Sequence, residues 1–146
     1  MKDDILKLDN QLCFALYACS KEIIRLYKPL LNEFGITYTQ YITLLVLWEE
    51  DNMVVKDLGA KLLLGSNTLT PVLKKLESIG LVERVRNKKD ERNVYIKLTK
   101  KGIEMKEKAI SIPQNAFCQT GLSLEELTHL RSQLKNLLKS LMDQNQ

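Results

Sequence analysis

The chain has 146 residues, of which 45% are hydrophobic and 27% are charged, and this length and composition are typical of one globular domain. No apolar run approaches the roughly 18 residues of a membrane span, and no signal-type segment follows the charged start, so we expect a cytoplasmic protein with no membrane partner. Three cysteines without a CxxC pair and a single histidine argue against a zinc ribbon, a dithiol motif and a bound metal or other cofactor.

The first half of the chain has a helical pattern. Apolar residues recur every three or four positions from Asp9 to Leu31, which predicts a long helix. A second helix, capped by Thr37 or Thr39, is predicted to end near the acidic turn 49–51. A third, short helix is predicted next, up to a break at 64–67.

The segment after this break predicts a helix with one apolar face and one polar, basic face. The apolar face is formed by Leu69, Val72, Leu73 and Leu76. Gly80 is expected to end this helix. We expect Thr68 to cap it, which places Pro71 in an irregular first turn, where its missing N–H costs no hydrogen bond.

The residue pattern changes after Gly80. Hydrophobic and polar residues alternate over 81–86 and over 93–98, which predicts two strands. The wholly polar segment 87–92 between them predicts a charged hairpin tip. The hairpin belongs to a basic block, because 74–101 holds ten Lys and Arg against four acidic residues, a local charge of +6 in a chain of net charge +4. Such a block is typical either of a solvated surface or of a surface that binds phosphates.

Two further helices complete the predicted fold. Thr99 is expected to cap the first of them, and a break is predicted at 112–114. Ser123 and Glu126 predict a capping box at the start of the last helix. A narrow apolar seam follows, formed by Leu127, Leu130, Leu134, Leu137 and Leu141. Such a seam is typical of a helix that packs lengthwise against another helix, so we expect a homodimer.

The order of these elements predicts a mainly α (α+β) fold with a winged helix-turn-helix over 36–99. The long terminal helices, in 1–35 and 100–146, are expected to form a dimerisation region. In such a module one helix enters the major groove of double-stranded DNA, and the hairpin reaches phosphates or the minor groove. Two modules related by a two-fold axis would lie about one turn of duplex apart, which predicts a pseudo-palindromic operator.

The predicted recognition helix carries short polar side chains that suit base edges and lysines that suit phosphates. At the hairpin, Asp90 and Arg92 lie on the same side of an extended chain, so we expect Asp90 to hold Arg92 in place for the groove. For each residue alone, a solvated surface is the alternative. The full set of predicted DNA contacts is Ser66, Asn67, Thr68, Thr70, Lys74, Lys75, Arg86, Lys88, Lys89, Asp90 and Arg92.

Several segments of the chain resemble the MarR family of dimeric winged-helix transcription regulators. They are NTLTPVLKKLE at 67–77, GLV at 80–82, DER at 90–92 and LTKKG at 98–102. A second set is similar to the organic hydroperoxide resistance repressors within that family. It comprises LCFALY at 12–17, YKPLL at 27–31 and LLVLW at 44–48. The resemblance implies a repressor that leaves its operator when an organic hydroperoxide oxidises a cysteine near the N-terminus.

The resemblance assigns the sensing role to Cys13 and its hydroxyl partners to Tyr27 and Tyr38, with Tyr17 as a supporting member. On a helix, Tyr17 and Tyr27 lie about 40° to either side of Cys13, so the three share a face. Tyr27 lies about 21 Å further along the axis, so its hydroxyl would have to come from the partner chain. Hydroxyl donors would stabilise the Cys13 thiolate, which peroxides oxidise to sulfenic acid. A small buried hydrophobe is the alternative role for Cys13.

Cys118 follows Cys13 by 105 residues, an arrangement that resembles the repressors with a second, resolving cysteine. The resemblance implies that sulfenic acid at Cys13 condenses with Cys118 of the other chain to an intersubunit disulfide. An idle, exposed Cys118 is the alternative. Low-molecular-weight thiols or further oxidation would then complete the switch.

Three other functions account for parts of the sequence. A thiol peroxidase would share the reactive cysteine, but the chain lacks the pattern of an α/β sheet, so we expect no enzyme. A metal-sensing regulator needs clustered ligands, which the scattered cysteines and lone histidine do not supply. A MarR-type repressor released by a small phenolic or other ligand, bound between the dimerisation and winged-helix regions, is the alternative function.

Overall fold

The computed structural model describes residues 2–90 and 92–145. In chain order the helices are α1 (Lys2–Ile5), a 3₁₀ turn (Leu8–Asn10), α2 (Leu12–Asn32), α3 (Tyr38–Glu49), α4 (Val55–Leu62), α5 (Ser66–Ser78), α6 (Lys100–Ala109), α7 (Ser111–Thr120) and α8 (Leu124–Gln144). Three strands form an antiparallel sheet in the order β1-β3-β2, with β1 at Met53–Val54, β2 at Val82–Arg86 and β3 at Val94–Leu98. The predicted mainly α fold with a hairpin between helices is confirmed.

The long N-terminal helix begins at Leu12, later than the predicted start at Asp9. Asp9 belongs to the 3₁₀ turn, and Gln11 then adopts an extended backbone with φ −93° and ψ 117°. The side-chain amide of Gln11 donates a 2.9 Å hydrogen bond to the carbonyl oxygen of Lys7. The first turn of the predicted helix is therefore a separate element that leads into α2.

The N-terminus of α3 is capped by Thr37, one of the two residues that the sequence allowed. The backbone N–H of Gln40 donates to the Thr37 hydroxyl at 3.4 Å, and the Thr37 backbone N–H donates to the Gln40 side-chain oxygen at 3.0 Å. This reciprocal pair is a capping box, which satisfies two N–H groups that the helix itself leaves unpaired. It fixes the direction of α3 where the chain turns back after α2.

The predicted start of α5 at Thr68 is wrong. Gly65 is the N-cap, because its carbonyl oxygen accepts the backbone N–H of Thr68 at 3.1 Å and that of Leu69 at 3.0 Å. Pro71 consequently lies inside the helix, where the carbonyl oxygen of Asn67 loses the N–H donor that another residue would supply. The helix nevertheless continues to Ser78, and its buried face holds it against the core.

The predicted hairpin is confirmed, with Val82 opposite Leu98 and Arg86 opposite Val94. The sequence analysis missed β1, which pairs Met53 with Ile96 and consists of only two residues. Such a short strand has no alternating pattern to detect. Glu91 of the predicted tip lies outside the described residues.

The break predicted at 112–114 is wrong in position, because the helical conformation is interrupted at Ile110. Pro113 occupies the third position of α7, and its missing N–H leaves the carbonyl oxygen of Ala109 without a donor four residues ahead. The interruption therefore falls one turn before the proline. At α8, Ser123 accepts the backbone N–H of Glu126 at 3.1 Å, but no return bond from the Glu126 side chain is present in the described part of the chain.

The core lies between α2, α3, α5, the sheet and the start of α6. Its fully buried members include Leu31, Leu44, Leu47, Leu58, Leu69, Leu73, Leu76, Ile96 and Ile112. The terminal elements α1 and α8 bury none of their described residues. Large apolar side chains exposed near both ends include Ile5, Leu6, Leu8, Leu12, Ile23, Leu130, Leu134, Leu138 and Leu141. No helix among the described residues is long and apolar enough to cross a membrane.

Candidate nucleic-acid interface and thiol site

The outer face of α5 presents the polar and basic side chains that the sequence analysis selected. Ser66, Asn67, Thr68, Lys74 and Lys75 are exposed, while the opposite face is buried in the core. Thr70 is half-buried, and its hydroxyl donates a 2.7 Å hydrogen bond to the carbonyl oxygen of Ser66. Helix α5 thus offers a polar surface of the size that a DNA major groove accepts.

The hairpin between β2 and β3 carries a second group of exposed charges. It consists of Arg86, Lys88, Lys89, Asp90 and Arg92. The Asp90 carboxylate accepts the backbone N–H of Arg92 at 3.1 Å and the side-chain amide of Asn93 at 3.3 Å. No ion pair joins the Asp90 and Arg92 side chains. The expectation that Asp90 holds the guanidinium is corrected: it fixes the turn through the backbone and leaves the Arg92 side chain pointing out of the hairpin's own bonds.

Two cations that the sequence analysis did not select lie between these groups. Lys56 and Arg84 line a cleft of about 370 Å³ together with Arg92 and Thr70. The cleft lies between α4, α5 and the hairpin. Arg84 belongs to the basic block of the sequence and alternates with Arg86 along β2, a signal that pointed to it. Lys56 comes from α4, so only the fold brings it to this face.

Tyr27 and Tyr38, which the resemblance paired, lie side by side. Their ring centroids are 5.2 Å apart in an edge-to-face arrangement. Tyr41 completes a cluster of three, with its ring 5.7 Å from Tyr27 and 6.1 Å from Tyr38. The sequence analysis missed Tyr41 as a site residue, although its spacing of three from Tyr38 places both on one side of α3.

The electrostatics of this tyrosine cluster keep its hydroxyls protonated. Burial raises the pKa of Tyr27, and the neighbouring Tyr38 adds to the effect. Burial also raises the pKa of Tyr38. Burial, followed by the two neighbouring tyrosines, raises the pKa of Tyr41 to about 12. At neutral pH all three are therefore hydrogen-bond donors, which is the form that stabilises an anion nearby.

Cys13 is exposed at the second position of α2. Tyr17 is exposed one turn further on, where its ring lies 6.5 Å from that of Phe14 and 5.3 Å from the Lys21 ammonium nitrogen. Cys13 and Tyr27 are both on α2 and, at 14 residues apart, are separated by about 21 Å along the helix axis. A contact between Cys13 and the tyrosine cluster therefore requires a second chain, and it stays a prediction.

The remaining cysteines are also exposed. Cys118 lies in α7, which packs against α2, and Cys19 lies on α2. No group of three potential metal-ligating side chains was found in the part of the chain that the structure describes. The thiols are therefore placed for chemistry with small molecules or with a second chain.

Helix α5, the hairpin and their basic face define a winged-helix DNA-binding regulator, and comparison with known proteins places the chain more closely. The family described as transcriptional regulator SarA/Rot matches residues 25–109. The chain belongs to this family, which is a SarA/Rot-type branch of the MarR winged-helix regulators.

One similar protein is the organic hydroperoxide resistance transcriptional regulator of Bacillus subtilis strain 168. It is 49% identical over 144 residues, which are 99% of this chain and 98% of that protein. MarR from E. coli in complex with operator DNA has a TM-score of 0.78 and 27% identity over 87% of this chain and 93% of that one.

AbfR of Staphylococcus epidermidis has a TM-score of 0.79 and 38% identity over 98% of this chain and 99% of its own. Reduced AbfR and overoxidised AbfR, each bound to DNA, both have a TM-score of 0.77, at 39% and 38% identity, over 97% of this chain and 99% of theirs. Disulfide-formed AbfR has a TM-score of 0.67 at 38% identity over 98% of this chain and 97% of its own.

Proposed function

We propose that the protein is a homodimeric transcriptional repressor that binds a pseudo-palindromic operator and leaves it when an organic hydroperoxide oxidises Cys13. The observation that carries this proposal is the tyrosine cluster of Tyr27, Tyr38 and Tyr41, whose hydroxyls stay protonated beside an exposed thiol-bearing helix. Its similarity to the organic hydroperoxide resistance regulator of Bacillus subtilis supports the class of oxidant.

Dimerisation is supported by the apolar surface that one chain leaves exposed at its two ends. Leu6 is 83% exposed and Leu12 is 66% exposed, and α8 exposes Leu130 and Leu134. Burial of such a surface is the main driving force of protein association. We assign dimerisation to 1–35 and 100–146, and DNA binding to 36–99. A two-fold axis then sets two copies of α5 against successive major grooves.

In the DNA-bound state, the residues of α5 and the hairpin divide by chemistry. Asn67 and Thr68 have exposed polar side chains for base edges, while Lys74 and Lys75 contact phosphates. Arg92 at the hairpin is free of ion pairs with described residues and reaches the minor groove or a phosphate. The remaining predicted contacts are Ser66, Thr70, Arg86, Lys88, Lys89 and Asp90, with Asp90 shaping the turn.

Oxidation begins with the Cys13 thiolate. Its sulfur attacks the outer oxygen of the hydroperoxide, the O–O bond breaks, and the alkoxide that leaves takes up a proton to become an alcohol. The sulfur loses two electrons to the peroxide and becomes sulfenic acid. The partner's Tyr27 and Tyr38 donate hydrogen bonds to the thiolate, and Tyr17 closes the site from its own helix turn.

Cys118 of the partner then acts as the resolving thiol. Its thiolate attacks the sulfenic sulfur, a disulfide forms, and the hydroxyl group leaves as water. The bridge moves the terminal helices and takes the two winged modules away from operator spacing. Overoxidised AbfR is bound to DNA, whereas AbfR also exists in a disulfide-formed state, and this contrast favours the disulfide as the releasing species.

Operator binding before and after treatment with cumene hydroperoxide tests the proposal. We expect the wild type to leave DNA and Cys13→Ser to stay bound. Cys118→Ser should form no crosslinked dimer on a non-reducing gel and should release DNA only when a small thiol is supplied. Cys19→Ser is the matched control, because it removes an exposed thiol from the same helix. Release of Cys13→Ser by the peroxide would refute the sensor role.

The same experiment separates a regulator from an enzyme. A cytoplasmic repressor reacts once per Cys13 and then waits for reduction, so peroxide consumption should stop at one equivalent per chain. Sustained consumption with a dithiol reductant would instead indicate a thiol peroxidase.

A second candidate function is release by a small phenolic or other ligand. A cleft of about 360 Å³ lies between α3 and the α6–α7 junction, lined in part by Tyr41, Trp48, Lys106 and Pro113. It has the location that the alternative requires, between the winged module and the dimerisation region. Release of Cys13→Ser from its operator by a phenolic compound under reducing conditions would favour this function.

A further inference from the structure

A cleft of about 460 Å³ lies between the C-terminal half of α2 and the start of α3. One part of its lining is apolar and comes from Ile24, Leu31 and Ile36. The other part is basic and comes from Lys21, Arg25 and Lys28. No carboxylate lines this α2–α3 cleft, so it combines an apolar wall with an uncompensated positive rim.

The three cations form one row on α2, because successive spacings of four and three residues place side chains on the same side of a helix. Arg25 has a 3.7 Å contact with Glu22, but both side chains are largely exposed, so this pair binds weakly. Lys21 lies over the ring of Tyr17. Lys28 has no ion-pair partner among the described residues. The rim therefore keeps a net positive charge.

The α2–α3 cleft adjoins the proposed sensor in two ways. Tyr38 belongs both to its lining and to the tyrosine cluster. In addition, Ile24 and Leu31 are 11 and 18 residues from Cys13, so at about 100° per residue they lie within about 20° of the direction of Cys13. In an antiparallel pair of α2 helices, this face of one chain meets the partner's Cys13.

We propose that the α2–α3 cleft binds the carboxylate of an anionic, amphiphilic hydroperoxide and makes the sensor selective for it. The inference rests on the proposed function and deepens it. The cations hold the carboxylate, and the aliphatic wall covers part of the hydrocarbon chain. A nucleic-acid phosphate would satisfy the cations but would leave the aliphatic wall exposed to water, which disfavours it as the occupant.

The bound ligand reacts by the same balanced step as a neutral hydroperoxide. The Cys13 sulfur takes the outer peroxide oxygen and loses two electrons, and the ligand leaves as a hydroxy acid with its carboxylate unchanged. The cleft accelerates the reaction by concentrating the anion at the site, since a cationic cleft raises association rates by about tenfold or more at low ionic strength.

The test compares three oxidants: linoleic acid hydroperoxide, its methyl ester, and cumene hydroperoxide, each below its aggregation threshold. Loss of Cys13 labelling by a thiol reagent gives the rate constant for the full-length dimer. For the wild type we expect the acid to react about tenfold faster than the ester at low salt, with the ratio falling as salt is added. Equal rates for acid and ester would overturn the proposal without any variant.

A triple variant, Lys21→Gln, Arg25→Gln and Lys28→Gln, should bring the rate with the acid down to the rate with the ester. Its rate with cumene hydroperoxide should match the wild type, which shows that the sensor is intact. Lys139→Gln on α8 is the charge-matched control and should retain the preference for the acid. A triple variant that keeps the full preference would refute the cleft. Failure of the proposed function is a separate result, because peroxide would then release Cys13→Ser from DNA.

Discussion

The indole N–H of Trp48 donates a 2.9 Å hydrogen bond to the carbonyl oxygen of Gly102, which joins α3 to the first turn of α6. Gly102 itself lies against the winged module, since a Cβ atom there would come within 2.2 Å of the Leu81 carbonyl oxygen and 3.1 Å of a Leu98 methyl group. The terminal helices and the DNA-binding module therefore meet at a junction with no spare space.

We expect Gly102→Ala to lower the free energy of unfolding by about 2–3 kcal/mol, because backbone atoms must move to admit the methyl group. Urea denaturation followed by the fluorescence of Trp48, the only tryptophan, measures this directly. Gly65→Ala is the control, since a Cβ atom there has no neighbour within 4 Å. An unchanged midpoint for Gly102→Ala would show that the junction is looser than its geometry indicates.

The N-terminus of α5 offers a second prediction. Gly65 caps this helix without a side-chain hydrogen bond, and its φ of −70° suits any residue. Gly65→Ser and Gly65→Asp should each raise the unfolding free energy by about 0.5 kcal/mol through a new cap. Only Gly65→Asp should weaken operator binding, because it adds a negative charge where α5 meets phosphates. Equal operator affinity for both variants would argue against that placement of α5.

The salt dependence of operator binding tests the assignment of Lys75. Removal of one phosphate contact should reduce the slope of log K against log salt by about 0.9 and weaken binding on most sequences. Lys75→Ala is therefore expected to show this change, and Lys108→Ala on α6 is expected to show none. A slope identical to that of the wild type would mean that Lys75 makes no phosphate contact.

The apolar periodicity of the sequence was sufficient to predict the helices and the hairpin, since the spacing of Leu69, Leu73 and Leu76 is a property of the chain itself. The helix ends were less predictable because they depend on competing local bonds. Thr68 is a good capping residue, yet the carbonyl group of Gly65 already accepts two N–H donors and starts α5 earlier. Pro113 shows the same effect, because it interrupts the helix at the residues whose carbonyl groups it leaves unpaired.

The candidate site was predictable only where one element carries it. Tyr27 and Tyr38 were found through the resemblance, but Tyr41 joins them because α2 and α3 pack at an angle that no spacing encodes. Lys56 similarly reaches the basic face only through the contact of α4 with the hairpin. Residues that meet across elements are set by tertiary packing, which the sequence pattern leaves undetermined.

The hydroxyls of the tyrosine cluster provide a prediction for reactivity. Tyr27→Phe and Tyr38→Phe keep the aromatic packing but remove one donor each, and a hydrogen bond to a charged group contributes about 1.5–3 kcal/mol. Each variant should therefore slow oxidation of Cys13 by cumene hydroperoxide by about tenfold or more. Tyr95→Phe, in the hairpin, should react like the wild type. Wild-type rates for both cluster variants would remove these hydroxyls from the sensor.

The raised pKa of Tyr41 makes the stability of the protein depend on alkaline pH. Below about pH 10, the tyrosine is protonated in both the folded and the unfolded chain, so its full contribution to stability is present. As the pH rises from about 10 to about 12, the unfolded chain loses its proton first, and this contribution is lost because the folded pKa is the higher one. Tyr41→Phe cannot ionise and should lose less stability over this window than the wild type in urea unfolding at stepped pH. Tyr17→Phe, at an exposed ring, is the control and should follow the wild-type curve. If Tyr41→Phe and the wild type lost stability in parallel between pH 10 and 12, the burial of the Tyr41 hydroxyl would be refuted.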